Sequence, residues 1–133
     1  LRGSVVAIDF FQLWCPMCNS FSGPVFNYWH DQRFPNEVRS GRLKLVGVHT
    51  VFEGFEVQTE TRLRSYLVEK NKRYPIANDR KDPSWFLPAT MEAWGNRATP
   101  TVAIVDRHGL VRFHKAGRFD VAQIDKLIAG LLG

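Results

Sequence analysis

The chain contains two cysteines, Cys15 and Cys18, in the stretch Trp14-Cys15-Pro16-Met17-Cys18. Thiols three residues apart can close a ring on themselves, exchange with a foreign disulfide, or supply half of a metal site. What surrounds them decides among these. A strongly apolar run, Val5-Val6-Ala7-Ile8-Asp9-Phe10-Phe11, leads in, and an amphipathic run beginning at Pro16 leads out. The pair therefore falls where a buried strand hands over to a helix. Proline suits the first helical position, with its fixed φ and no amide to leave unpaired, which makes Cys15 the cap and Cys18 a residue of the first turn. Unpaired amides and the helix dipole favour an anion there by up to about 2 kcal/mol, equivalent to a thiol pKa lowered by about 1.5. A thiol brought from about 8.5 to about 7 is roughly half ionised at neutral pH. Cys15 is the expected nucleophile.

Cys18 lies one turn on, and Cα atoms at that helical spacing are within the reach of a disulfide. It also opens the apolar stripe Cys18, Phe21, Val25, Tyr28/Trp29, so its thiol should face inward, protected until Cys15 forms a mixed disulfide. Cys18 is the expected resolving thiol. Burial raises its pKa, and Asp9 is the candidate proton acceptor. An acid inside an apolar strand is costly unless neutral or partnered. The alternative for Asp9 is a carboxylate bonded to local backbone. Trp14 beside Cys15, and Pro16 and Met17 at the helix start, are expected to meet a substrate; core packing for Trp14 and an incidental surface place for Met17 are the alternatives.

Other uses of the pair are weaker. A disulfide closing so short a loop removes little unfolded-state entropy. Zinc needs four ligands, and none of His30, His49, His108 or His114 stands at metal spacing to the cysteines. No metal and no cofactor is expected.

Asp9-Phe10-Phe11-Gln12-Leu13-Trp14-Cys15-Pro16-Met17-Cys18 resembles the active-site stretch of the thioredoxin superfamily, with Asp at the same offset before the first Cys. The likeness runs on through Gly47-Val48-His49-Thr50, Tyr74-Pro75-Ile76, Trp94 to Thr101 and Ile104 to Gly109, an order similar to the TlpA/ResA-like branch of thiol-disulfide oxidoreductases. The resemblance implies a thioredoxin-like α/β fold. Its mixed central sheet has about five strands, mostly parallel with an antiparallel C-terminal hairpin, and helices on both faces. It implies that Thr99-Pro100 is a cis-proline bond facing the cysteines and offering backbone groups to a bound peptide. It also favours an extracytoplasmic location, periplasmic or membrane-anchored. Three departures stand out: Pro24 is one residue later than the thioredoxin helix proline, Pro-Met between the cysteines leaves the direction of electron flow open, and, with no strand before Leu1, part of the family's usual edge is expected to be missing or to lie outside this chain.

At 133 residues and 44% hydrophobic, the chain is expected to form one domain over 1–133. Leu1 in place of an initiator methionine suggests a domain excised from a longer protein. The net charge of +5 is spread along the chain and interleaved with acids, with no basic stripe of the kind that binds nucleic acid. The apolar runs are far shorter than a spanning helix. A membrane is expected only through a segment outside this chain.

The elements that must hold the cysteines follow from pattern. Residues 4 to 11 read as a central strand buried on both faces. A helix from Pro16 to about Gln32 bends at Gly23-Pro24. Arg42 to His49 is a strand parallel to the first, so that His49, Thr50 and the loop Val51 to Glu56 leave it on the Cys15 side, as a substrate wall. Thr59 to Arg73 is a helix, Tyr74 to Ala77 a short edge strand, and Asp82-Pro83 a capped helix start that Pro88 restarts or interrupts before the helix ends at Gly95. Thr101 to Val105 and Leu110 to Lys115 form a hairpin, with Gly109 at a positive-φ position and Arg112 and His114 outward on an edge. The last helix has a capping box, Asp120 with Gln123, and an inward stripe Val121, Ile124, Leu127, Ile128, Leu131.

The activity these readings predict is thiol-disulfide exchange with protein dithiols and disulfides, with a second redox protein as partner and a monomeric chain. Two other readings stay open. A binding module would keep the pair locked in one redox state, and a redox sensor would change conformation on oxidation and turn over slowly.

Overall fold

A computed structural model describes residues 1–82 and 84–133. Five strands form one sheet in the order β3-β2-β1-β4-β5: β1 Val5–Phe11, β2 Leu43–His49, β3 Ile76–Asn78, β4 Thr101–Val105 and β5 Val111–Ala116. β1 pairs in parallel with β2 and β2 with β3, whereas β1–β4 and β4–β5 are antiparallel. The thioredoxin-like arrangement expected from the sequence is the one observed. β1 is central and buried on both faces, because its branched and aromatic side chains lack a polar face.

Alternate β1 residues divide between two layers. Val5 and Ala7 enter the main core with Phe26, Trp29, Leu43, Leu45, Ile104 and Ile128. Phe10 and Ile8 face the other way with Val48, Ala103 and Trp94. Asp9 and Phe11 share the side of Val5 and Ala7 by strand alternation, which places the acid under the helix that begins at Pro16.

That helix runs over 16–33 and is not uniform. Cys18–Ser22 and Trp29–Arg33 are π-helical turns flanking α1, Gly23–Tyr28. The Gly23 amide reaches back to the Cys18 carbonyl, and the wider turn falls immediately before Pro24, which has no amide to give. The extra residue rotates the inward face. Ser22 and Phe26 are fully buried, while the expected stripe residue Phe21 is only partly so.

α2 covers Pro35–Arg39, and α3 covers Glu60–Glu69, capped by the Thr59 hydroxyl accepting from the Arg62 amide at 3.3 Å. α3 ends four residues before the expected Arg73. Asn71 takes a left-handed φ of 55°, and the chain turns Lys72 into the interior, where it is 9% exposed. The helix expected from Asp82-Pro83 is absent over 84–88; Pro83 itself lies outside the described residues. Asp82 instead accepts from the amide and hydroxyl of Ser84, a local turn that competes with helix. α4 spans only Ala89–Ala93. Its first amides, those of Thr90 and Met91, donate to the Asp79 carboxylate.

The C-terminal hairpin turns at Gly109, with φ of 86°. α5, Val121–Leu132, is capped by Asp120, which accepts from the Gln123 amide at 3.2 Å. Within its inward stripe stands an acid, Asp125, 9% exposed, which accepts from the Tyr28 hydroxyl at 2.8 Å and the Trp29 indole at 2.7 Å. These two bonds join α5 to the cysteine-bearing helix. Asp125→Ala leaves a buried indole donor without an acceptor and is expected to cost about 2 to 3 kcal/mol. Urea unfolding checks this, and the double variant Trp29→Phe/Asp125→Ala should show a cost less than the sum of the two single changes.

Candidate active site

The first helical bond is donated by the Asn19 amide to the Cys15 carbonyl at 3.1 Å, so Cys15 stands at the cap as its spacing from Pro16 predicts. Its sulfur acts as the capping side chain, accepting from the Cys18 amide at 3.3 Å. Both cysteines are free thiols. Cys15 is 8% exposed, at a cleft of about 400 Å³ lined by Trp14, Pro16, Phe52, Arg97 and Thr99. Cys18 is 1% exposed and packs with Phe11, Leu63 and Tyr66.

The two sulfurs are pushed in opposite directions. A hydrogen bond from the Cys18 thiol, strongest among the causes, brings Cys15 down to about 6, with the Cys18 and Met17 amides and Thr99 helping and burial opposing. The sequence credits the helix end alone. Here the neighbouring thiol is the larger influence, because the two sulfurs lie side by side. Cys18 is raised far above the ordinary thiol range by that same bond and by burial.

Asp9 is 1% exposed and does not bond to local backbone: one carboxylate oxygen accepts from the Ser22 hydroxyl at 3.1 Å, and the other is buried without a partner. Burial pushes its carboxyl up to about 6, against the pull of Lys72 and Ser22. Lys72 was not foreseen from the sequence. Its ammonium donates to the Tyr74 hydroxyl at 3.0 Å and lies 5.5 Å from the Phe11 ring centre and 5.9 Å from that of Tyr66. Burial lowers its pKa while Asp9 and Cys18 hold it up. The sequence carries one signal for this placement. Gly23 is helical and interior, a costly residue there, and a Cβ on it would sit 2.9 Å from the Lys72 Nζ.

On the cleft side, the Thr99–Pro100 bond is cis and the Cys15 sulfur lies 3.5 Å from the Thr99 carbonyl oxygen. Two buried glutamines bridge the surrounding loops. Gln58 donates to Gln12 at 2.8 Å and to the Glu53 carbonyl at 2.9 Å, and Gln12 donates to the Thr99 hydroxyl at 3.3 Å. Trp14 is 44% exposed and lies over Gly54, where a Cβ would come within 2.1 Å of the indole. It is therefore a surface residue and not a core one. Met17 is 36% exposed. Phe52 and Glu53 line the cleft, but His49 and Thr50, which precede them, are fully buried against Asn78 and Asp79. Among the described residues no group of three metal-ligating side chains occurs.

No family model matches the chain. A solved structure of the thioredoxin-like superfamily protein SPOA0173 is 32% identical, with a TM-score of 0.90 over 100% of this chain and 82% of that one. A thiol-disulfide isomerase from Corynebacterium glutamicum is 30% identical, with a TM-score of 0.88 over 99% of this chain and 82% of that one. Protein DipZ of Mycobacterium tuberculosis is 28% identical over 132 residues, 99% of this chain. The chain spans 17% of the length of that relative.

Two measurements test the electrostatics. The rate of Cys15 alkylation by iodoacetamide should titrate with a midpoint near pH 6, well below the ~8.5 of a free thiol. The Asp9 carboxyl holds its proton up to about pH 6 when folded against 3.8 ordinarily. Folding thus binds a proton between those values, and stability falls as pH rises through them, by about 3 kcal/mol in all. Asp9→Asn should abolish that fall and be the more stable protein at pH 7 by up to about this amount, measured by urea unfolding at pH 4 and 7.

Proposed function

We propose, from the premise that this chain belongs to the thioredoxin superfamily, that it is of the TlpA/ResA-like branch and exchanges electrons with protein dithiols and disulfides through Cys15 and Cys18. The observation that carries this reading is the polarised pair: one sulfur at a cleft receiving hydrogen bonds, the other sealed behind it.

In the reducing direction the Cys15 thiolate attacks a substrate disulfide. One Cys15–substrate bond forms, the substrate's own S–S bond breaks, and its departing sulfur leaves as a thiolate. Cys18 then gives its proton to the Asp9 carboxylate, and its sulfur attacks that of Cys15. The Cys15–Cys18 bond forms as the bond to the substrate breaks, so two electrons have passed from the pair to the substrate. Run backwards, the same steps oxidise a dithiol, and the potential of the partner protein selects the direction. Trp14, Pro16 and Met17 form one wall for the substrate chain; Thr99 and Pro100 present backbone on the other. The substrates are protein thiols, and a second redox protein resets the pair. The domain acts as a monomer in an extracytoplasmic compartment, joined to any membrane through a segment outside this chain. No helix among the described residues is long and apolar enough to cross one.

Trapping separates the two roles. Cys18→Ser should accumulate a mixed disulfide between Cys15 and a scrambled, disulfide-containing protein substrate, seen by non-reducing electrophoresis, whereas Cys15→Ser should accumulate none and lose all exchange activity. Exchange that survives Cys15→Ser would end this reading.

A further inference from the structure

Exposed apolar side chains gather at one end of this molecule. Among the described residues ten large apolar side chains are exposed, and six of them, Trp14, Met17, Phe55, Val57, Trp85 and Phe86, lie on the segments that follow β1, β2 and β3. These three strands run parallel, so the segments after them emerge at one edge of the sheet, the edge that carries Cys15. The other four lie on α3, before β1 or at the β4–β5 turn. Single exposed apolar residues are ordinary, whereas a gathering of them marks a surface that is covered in use.

Contacts join these aromatic residues into a ledge that starts at the cleft. Trp14, in the cleft wall, rests on Gly54. The next residue, Phe55, has the Lys81 ammonium 5.9 Å from its ring centre, and that ammonium donates to the carbonyls of Asp82 and Trp85. The Trp85 ring in turn has the Arg80 guanidinium 5.2 Å from its centre. Phe86, beside Trp85, is 89% exposed. The loop that holds this pair is closed at its neck, where the Ala89 amide donates to the Arg80 carbonyl at 2.8 Å, and is anchored to β2 by the Asp79 amide, which donates to the His49 carbonyl at 2.9 Å.

We propose that this ledge docks the apolar stretch of polypeptide flanking a substrate's reactive cysteine, with Phe55, Trp85 and Phe86 as specificity-determining residues. The inference rests on the oxidoreductase reading above and names the class of substrate for it. Continuity with the cleft identifies the occupant: a chain joined to Cys15 passes Trp14, and the ledge leads on from Trp14. Apolar side chains laid there take exposed rings out of water, and aromatic anchors carry much of the energy of protein interfaces. A loop already tied at its neck and to β2 loses little freedom on binding. The surface therefore selects disulfides that stand beside exposed apolar side chains, as they do in incompletely folded proteins.

Two short peptides test this, each with a single cysteine held as its mixed disulfide with thionitrobenzoate, one flanked on both sides by leucine and phenylalanine and the other by serine and asparagine. Attack by the Cys15 thiolate joins its sulfur to the peptide's, breaks the peptide–thionitrobenzoate bond and releases a coloured thiolate, whose rate is followed against peptide concentration. The ledge predicts half-saturation at a concentration on the order of tenfold lower for the apolar peptide, at a similar limiting rate. Trp85→Ser/Phe86→Ser should erase that difference and leave the rate with the thionitrobenzoate disulfide of free cysteine unchanged. Phe86→Ser alone should erase part of it, and decides if the double variant fails to fold. No preference in the unaltered protein, or a preference that the folded variants keep in full, overturns the proposal. So does another occupant of the ledge: a dimer in sedimentation that the double variant makes monomeric, or flotation with phosphatidylglycerol vesicles that the double variant loses. Failure of the unaltered protein to react with any of the three disulfides would instead overturn the oxidoreductase reading itself.

Discussion

A helix start that uses a sulfur as its cap sets the terms for everything around it. The Cys15 sulfur accepts the Cys18 amide, a bond that strengthens as the sulfur ionises. The same turn brings the Cys18 thiol alongside as a second donor. One geometric fact therefore does two opposite things: it makes the outer thiol acidic and the inner one reluctant to ionise. Pro16 is what allows the helix to begin there, and the end of β1 is what delivers Cys15 to the mouth of the cleft.

Beneath the sulfurs lies charge that the fold would otherwise avoid. Asp9 sits in the central strand of the sheet, and Lys72 arrives from a turn far along the chain to face it. Buried opposite charges seldom improve stability over apolar packing. Their usefulness here is that they hold a carboxyl whose proton is exchangeable close to neutral pH. The wide helical turn at Cys18–Ser22 serves the same arrangement. It absorbs the missing amide of Pro24 and directs the Ser22 hydroxyl onto the Asp9 carboxylate.

The front of the site is built differently. There, neutral groups join three loops: Gln58 and Gln12 tie the loop after β2 to the end of β1 and to Thr99, and Trp14 rests on Gly54. Amide pairs fix this geometry without adding charge of their own beside the Cys15 sulfur. The buried Asp9 and Lys72 are not among the residues that line this cleft.

Local pattern was enough for much of this. The buried strand, the proline-led helix, the capped last helix and the roles suggested for Cys15, Cys18 and Asp9 follow from periodicity and from the cost of an acid among apolar residues, which act over a few neighbouring positions. The mixed five-stranded sheet with its antiparallel C-terminal hairpin followed from the family resemblance, whereas the order β3-β2-β1-β4-β5 is seen only in the structure. What the chain order concealed is long-range. Lys72 looked like one more basic residue at the end of a surface helix, because nothing local distinguishes it; only the early end of α3 at Asn71 and the space left by Gly23 turn it inward. Gln58 lay in a polar loop, and its partner Gln12 is 46 residues away. Asp125 broke an apolar stripe for the sake of two donors nearly a hundred residues earlier. The helix expected at Asp82 gave way to a turn, since a side chain that bonds its own following amide competes directly with the helix. Hydrophobic periodicity is written residue by residue. The pairing of buried polar groups is decided only when distant segments meet, because their partners are selected by proximity in space and leave no regular spacing in the sequence.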